Sequence, residues 1–356
     1  MNSKKVIIIC FLFFSLFPAL HSQEVINNSD NPLNTEAGRV LMLEEVFKIK
    51  DEPDEFFFAW PRSFCLDSQK NLFILDEDQL LKFSPEGKFI RNFYKKGQGP
   101  GEISSRYQMV SFFIHQDELF VYDGVAKILH FDGNGKLIKE VKQTAGRFFQ
   151  LLGRSAEGFY MRYQTSARQE KVGFKEIDNQ IHLLSFDGSS AEKILGFSSR
   201  IYGGPNFGMD WDKYSHLFNQ NDGSLYVTHT CEYNIVRSDL NEQKIIVSFN
   251  REYPRTKFVI PESSESFYKD YDIPKKKFEN DVLKMFLNNN DLWIKTSANN
   301  KDKGMLFDVF NSKGRYTDSF YLNIEGRLEL ASGDYIYITE RDEEENISIK
   351  KLKILN

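Results

Sequence analysis

The side chains best suited to chemistry in this chain are arginines, aromatic rings and a few histidines. Trp60, Arg62, Arg106, Tyr107, Arg147, Phe148, Arg200, Tyr202, Trp211 and Tyr214 all fall in or beside long segments between apolar runs. Flat rings stack on sugars and peptide side chains, and guanidinium forks grip carboxylates or phosphates. This set therefore reads as a ligand-recognition surface. The histidines beyond the N-terminal segment are His115, His130, His182, His216 and His229. Only His216 and His229 share a hairpin, with Cys231 and Glu232 following, so they are the weak candidates for a metal or acid–base site. No His-x-x-x-His, Cys-x-x-Cys or Gly-x-Ser-x-Gly spacing accompanies them. The acidic run from Asp342 to Glu345 reads as a solvated loop. No residue is assigned as catalytic and no cofactor is expected.

These residues must be positioned by a repeating element. Phe83-Ser-Pro-Glu-Gly-Lys88, Phe131-Asp-Gly-Asn-Gly-Lys136, Phe186-Asp-Gly-Ser-Ser190, Arg237-Ser-Asp-Leu-Asn241 and Phe310-Asn-Ser-Lys-Gly-Arg315 are variants of one strand–turn–strand motif, spaced by 48, 55, 51 and 73 residues. Short apolar runs closed by a polar residue, such as Asn71-Leu-Phe-Ile-Leu-Asp76 and Glu118-Leu-Phe-Val-Tyr-Asp123, flank the turns and suit strands packed between neighbouring sheets. A period of this size with strand patterning marks a β-propeller. The expected fold is all-β: a six-bladed propeller of four-stranded antiparallel blades, each with strands A to D. The sixth unit lacks a D strand. Residues 39–49 are expected to supply it and close the ring, which leaves no exposed edge. Residues 39–356 number 318, or 53 per blade, which matches the spacing. A pair of β-sandwiches is the competing architecture.

Lys4 and Lys5 followed by the apolar run Val6 to Phe17 read as a secretory signal, too short for a transmembrane helix. Cleavage is expected near Ser22, giving an exported, periplasmic or secreted chain without a transmembrane anchor. Cys10 lacks the small residues that precede a lipidated cysteine. Residues 23–38, rich in Asn, Ser and Asp, read as a flexible leader. Cys65 and Cys231 would lie across the ring from one another and are expected to be free thiols. A formal charge of −5 argues against nucleic acid. The 33 Phe and 16 Tyr suit facing sheets.

Gly97-Gln98-Gly99-Pro100-Gly101-Glu102 resembles the Gly-x-Gly-Pro-Gly-Glu loop of bacterial exported six-bladed β-propellers of the NHL/TolB-like kind. The likeness extends through Glu118 to Gly124 and Ile128 to Lys136. It implies the fold and export, and brings no catalytic residues, since that family is mostly uncharacterised. The glycine loop lacks the Gly-Lys-Ser/Thr ending of a phosphate loop and no helix follows it, so it reads as a tight link between blades.

Strand order places the A–B and C–D turns on one face, where they are short. The B–C and D–A connections share the other face and hold every long segment: residues 50–61, 94–108, 164–179, 196–215 and 250–281. The last is expected to contain a short helix from Pro261 to Tyr268. Long insertions gathered on one face of a repeat array mark its working surface. The leading reading is a non-enzymatic binding module for a carbohydrate, peptide or envelope protein. The alternative is a metal-assisted hydrolase or lyase with a divalent cation at the mouth of the central channel.

Overall fold

The computed structural model describes residues 24–104 and 109–355. The expected signal segment and two expected site residues, Arg106 and Tyr107, lie outside the described residues. Six sheets follow one another along the chain. Blade 1 comprises Pro61–Leu66, Leu72–Asp76, Gln79–Phe83 and Phe89–Asn92. Blade 2 comprises Ser111–His115, Glu118–Tyr122, Lys127–Phe131 and Leu137–Lys142. Blades 3 to 6 begin with the A strands Gln150–Arg154, Tyr214–Phe218, Val282–Asn288 and Arg327–Ser332. Blade 6 takes its outer strand from the N-terminal side: Met42–Ile49 pairs antiparallel with Ile347–Leu355, from Met42↔Leu355 to Ile49↔Ile349. The ring is closed as the incomplete sixth repeat requires.

Six buried apolar clusters lie between adjacent blades, one per interface. Phe73, Leu80 and Val121 join blades 1 and 2, Phe120, Leu151 and Phe159 join blades 2 and 3, and Ile181, Leu225 and Val227 join blades 3 and 4. Tyr226, Phe249 and Ile294 join blades 4 and 5, Phe307, Phe320 and Ile338 join blades 5 and 6, and Ile74, Phe83 and Ile349 join blades 6 and 1. Each sheet thus buries both faces, which is why the strands read as apolar runs rather than alternating ones.

The repeated turn motif has a physical basis. Every C–D ladder shifts register toward the end of its C strand, at Phe83, Phe131, His182, Ser238, Phe310 and Leu352, and in blades 1 to 5 a turn follows. Such bulges add local twist. The small polar residue that follows then closes the turn with its own side chain. Asp132 Oδ1 accepts from the amides of Asn134 and Lys136, Asn311 Oδ1 from Lys313 and Arg315, and Ser84 Oγ from Glu86 and Lys88.

Two expectations change. The leader expected to be flexible is laid along the ring, with Val25–Asn28 parallel to Lys244–Arg251; Arg39–Val40, expected within the blade-6 closing strand, pairs parallel with Tyr316–Leu322 of blade 5 instead. The segment between them stays on blade 5, with the Leu33, Asn34 and Gly38 amides bonded to the Tyr316, Thr317 and Ser319 carbonyls. Its polar residues serve as anchors. Asn28 Nδ2 donates to the Asn250 and Gly314 carbonyls and Asn28 Oδ1 accepts the Tyr316 amide. Below the segment, Asp308 is fully buried, receives the Tyr233 and Tyr316 hydroxyls at 2.6 and 2.8 Å, and is ion-paired to Arg251 at 2.9 Å. Arg251 reaches back to the Asp30 carbonyl.

The second change concerns blade 3. Segments expected as loops at 164–179 and 196–215 are strand extensions. Gly173–Ser185 and Ala191–Gly203 pair from Gly173↔Gly203 to Leu184↔Ala191, and a fifth strand, Gly208–Asp212, adds to the edge. This three-stranded extension rises from the ring on the long-loop face. In the 250–281 insertion, the helical turns are Glu262–Ser264 and Glu265–Asp270, starting just after the expected Pro261 and ending two residues beyond the expected Tyr268.

Candidate functional site

The face carrying the B–C and D–A connections has two separate features: the blade-3 extension with its neighbouring insertion, and a basic groove at the channel mouth over blades 5, 6 and 1.

Three expected site residues, Arg200, Tyr202 and Trp211, build the extension together with Phe174. Phe174 packs edge-on against Tyr202 and Trp211, both 5.0 Å between ring centres. The Arg200 guanidinium covers Phe174 at 4.8 Å and is ion-paired to Asp212 at 2.6 Å. The insertion leans on this extension. Phe207 meets Tyr271 at 4.3 Å and Phe267 at 6.0 Å, the Tyr202 hydroxyl donates to the Asp272 carbonyl, and Lys276 Nζ donates to the Trp211 carbonyl. Arg255 anchors the insertion to Asp281 at 2.9 Å and to the Cys231 carbonyl. Tyr202 is buried, and Arg200 and Trp211 are engaged in this packing. The outward apolar residues are instead Val172, Phe174, Phe267 and Tyr271.

The channel mouth presents Trp60, whose ring is 57% exposed. Asp76 sets the loop that carries it, accepting the Ala59 and Trp60 amides at 2.9 and 2.6 Å. Burial pushes the Asp76 carboxyl up to about 6 against the opposing pull of those amides. Trp60, Pro61, Gly326, Arg327, Thr339, Arg341 and Ile347 enclose a cleft of about 340 Å³. A second cleft of about 280 Å³ adjoins it at Gly326, lined in part by Lys295, Asn299, Asn300, Lys301 and Asn323. Gly326 has φ +117°, and a Cβ there would stand 2.2 Å from the Thr339 carbonyl oxygen, so glycine alone keeps the floor between the clefts open.

Beneath this floor two cations pair with one carboxylate and a third stands across the strand from them. Glu329, with only 4% of its side chain exposed, is ion-paired to Lys284 at 3.2 Å and to Arg327, and accepts the Thr339 hydroxyl. Lys295 is the register partner of Lys284 across the A–B ladder of blade 5. Like charges placed directly opposite on neighbouring strands are destabilising. The Lys295 ammonium is held below the usual lysine range, first by burial and then by Lys284, with Glu329 opposing. Arg327 also donates to the Pro61 carbonyl, tying blade 6 to blade 1.

The other expected residues serve packing or stand apart. Arg62 donates to the Val110 carbonyl and links blade 1 to blade 2. Phe148 is buried between blades 2 and 3, where its carbonyl accepts the Tyr122 hydroxyl, while Arg147 is exposed. Tyr214 packs on Phe197 and edge-on against His229. His216 sits opposite Val227, bonded to Gln150 at 3.2 Å, and burial drives its pKa down to about 3. It is therefore a neutral packing residue at ordinary pH. Among the described residues no three His, Cys, Asp or Glu side chains converge to hold a metal ion. Cys65 and Cys231 are free, and burial raises their thiols to about 11 and about 12.

The glycine loop carries no anion site. The Gly99 amide donates to the Glu102 carboxylate, and Lys127 Nζ donates to the Gly99 and Glu102 carbonyls. The protein's own carboxylate occupies the turn.

A larger cleft, about 650 Å³, lies on the opposite, short-turn face between blades 2, 3 and 4 and is lined by residues including His115, Arg154, Glu157, Tyr160 and Asn241. Sequence reasoning, which weighed only loop length, gave no sign of it.

Residues 54–200 match a family model, DUF5128, described as a 6-bladed beta-propeller. No curated protein matches the chain. Among solved structures, a "putative exported protein" from Bacteroides fragilis NCTC 9343 is similar over 93% of this chain and 100% of its own, at 13% identity and TM-score 0.53. A member of the duf4221 family from Bacteroides vulgatus ATCC 8482 is similar over 89% of this chain and 99% of its own, at 13% identity and TM-score 0.52. At such identities the likeness is one of fold. The protein is a six-bladed β-propeller. No helix among the described residues is long and apolar enough to cross a membrane.

Proposed function

We infer that this protein is an exported, non-enzymatic binding module that recognises a carbohydrate, peptide or envelope partner through its long-loop face. One observation carries the reading: on that face the insertions are folded outward and present exposed rings and unbalanced positive charge. Trp60 and Phe174 stand exposed, Lys284 and Arg327 share the carboxylate of Glu329, and Lys295 lies directly across the ladder from Lys284. Folded insertions held on a rigid ring are where propellers and related scaffolds place recognition. The basic N-terminal segment with its apolar run and the exported-type likeness support export. The rival, a metal-assisted hydrolase or lyase, needs several carboxylates or imidazoles meeting at the channel. The described His216 bonds to Gln150 and His229 packs edge-on against Tyr214, with no further His, Cys, Asp or Glu converging on them among the described residues.

Oriented immobilisation tests the reading. The protein is attached to a surface through a cysteine at Glu242→Cys, in a short turn, or at Trp60→Cys, and exposed to saccharide and peptide libraries. Retention only by the Glu242→Cys form is expected. Retention only by the Trp60→Cys form would move the binding surface to the 650 Å³ cleft of the opposite face.

A further inference from the structure

The geometry points to an acidic oligosaccharide as the ligand of the channel-mouth groove, its carboxylate or sulfate held by Lys284, Lys295 and Arg327 and a sugar ring stacked on Trp60. The assignment rests on the long-loop-face reading and names the ligand class for it.

Three observations converge. The first is charge. Lys284 and Lys295 are direct cross-strand partners, Arg327 joins them, and Glu329 is the one carboxylate placed among them. A fold selected for stability alone would not set two ammonium groups opposite each other in a half-buried ladder. Their repulsion and incomplete neutralisation are relieved when an external anion enters. Lys295 has no ion pair among the described residues, and it lines the 280 Å³ cleft. Lys284 and Arg327 are about half exposed, so each can turn donors toward a ligand while holding Glu329.

The second observation is the lining. Asn299, Asn300 and Asn323 border the cleft beside Lys295. Side-chain amides both donate and accept, which matches hydroxyl groups rather than an apolar ligand. The third is the continuation through Gly326 into the Trp60 cleft. A flat exposed indole beside guanidinium groups suits the apolar face of a pyranose ring. A purely acidic peptide would use the cations but carries no ring or flat apolar face to cover the open indole. Nearby carboxylates do not cancel the site: Glu345 is paired to Arg341, and Glu340 to Lys48 and Lys350.

The test is calorimetric titration of the mature protein with trigalacturonate and with a sulfated galactan trimer, against a neutral galactan trimer and a hexaglutamate peptide. Binding of at least one acidic saccharide is expected. It should weaken about tenfold between 50 and 300 mM NaCl, fall at least tenfold in Lys295→Met, and fall similarly in Trp60→Ala. Lys295→Met removes the like-charge pair, so its melting temperature should equal or exceed the wild type, which shows that the loss is not misfolding. Three outcomes overturn the assignment: no acidic trimer binding at 10 mM, hexaglutamate binding preferred, or acidic-trimer affinity unchanged in Lys295→Met. Neutral-sugar binding lost in Trp60→Ala but kept in Lys295→Met would reject the acidic class and preserve the long-loop-face reading. Binding kept in both variants and lost in Arg154→Ala would reject that reading as well.

Discussion

Replacing Glu329 by Gln keeps the shape and the partnership with the Thr339 hydroxyl but removes the charge that Lys284 and Arg327 share. At 3.2 Å, the Lys284–Glu329 attraction is about 5 kcal/mol for an effective dielectric near 20. That gross figure overstates the loss, because Lys284 and Arg327 are about half exposed and screened by water. Breaking a fully buried pair costs about 3–5 kcal/mol and a surface pair at most about 1. A buried carboxylate with half-exposed partners falls between, at about 2 kcal/mol. For a domain of this size, with an unfolding entropy of about 0.7 kcal/mol/K, that is a drop of about 3 °C in melting temperature. The assay is thermal unfolding by circular dichroism in 20 mM and 300 mM NaCl. Added salt should narrow the gap, since the residual repulsion is between partly exposed groups. The double variant Glu329→Gln/Lys295→Met should recover at least about 0.5 kcal/mol relative to additivity. A Glu329→Gln protein as stable as wild type at low salt, or strict additivity in the double variant, would refute the claim that these charges are coupled.

Further outcomes follow from other parts of the molecule. Acidification through pH 6 should protonate Asp76, weaken its hold on the Ala59 and Trp60 amides, and shift the emission of Trp60 with a midpoint near 6. Asp76→Asn should abolish that transition. Because its folded pKa is raised from 3.8 to about 6, the contribution of Asp76 to stability is fully present below 3.8 and is lost as pH rises through about 6. Asn28→Ala would strand the Gly314 carbonyl and Tyr316 amide. It should cost about 2–3 kcal/mol and speed hydrogen exchange across residues 24–38. Gly326→Ala forces a Cβ to 2.2 Å from the Thr339 carbonyl and should lower the melting temperature by several degrees while weakening any ligand bound along the groove. The two thiols should react with an aromatic disulfide reagent only after unfolding, since burial raises both and neither is bridged.

Much of the ring was legible because its turns are chemically self-contained. The residue that closes each C–D turn, such as Asp132 or Asn311, bonds amides two and four positions on, so a local motif reports a local structure. The missing sixth D strand likewise pointed to residues 39–49, of which Met42–Ile49 form it. The N-terminal strap was not legible, since Val25–Asn28 pairs with a strand more than 200 residues away and depends on anchors at Asn250 and Gly314. Its Asn-rich composition resembled a free leader while its side chains supply those bonds. The blade-3 extension was hidden because Gly173, Lys175 and Glu176 look like loop residues; only their pairing with Gly203, Ile201 and Arg200 makes them strand.

At the site, sequence singled out the exposed Trp60 but also Phe148 and Tyr202, which are core. An aromatic in a long connection can face either way, and composition does not record which. The basic group was missed for a different reason. Lys284, Lys295, Arg327 and Glu329 are spread over 46 residues on three strands, and only the bulged register between Val282 and Lys284 with the blade 5–6 contact brings them together.

The most direct test compares binding of one library-derived ligand by three proteins: wild type, Trp60→Ala on the long-loop face, and Arg154→Ala in the 650 Å³ cleft of the short-turn face. The account predicts affinity lost at least tenfold in Trp60→Ala and unchanged in Arg154→Ala. The reverse pattern would contradict it and place recognition in the cleft between blades 2, 3 and 4.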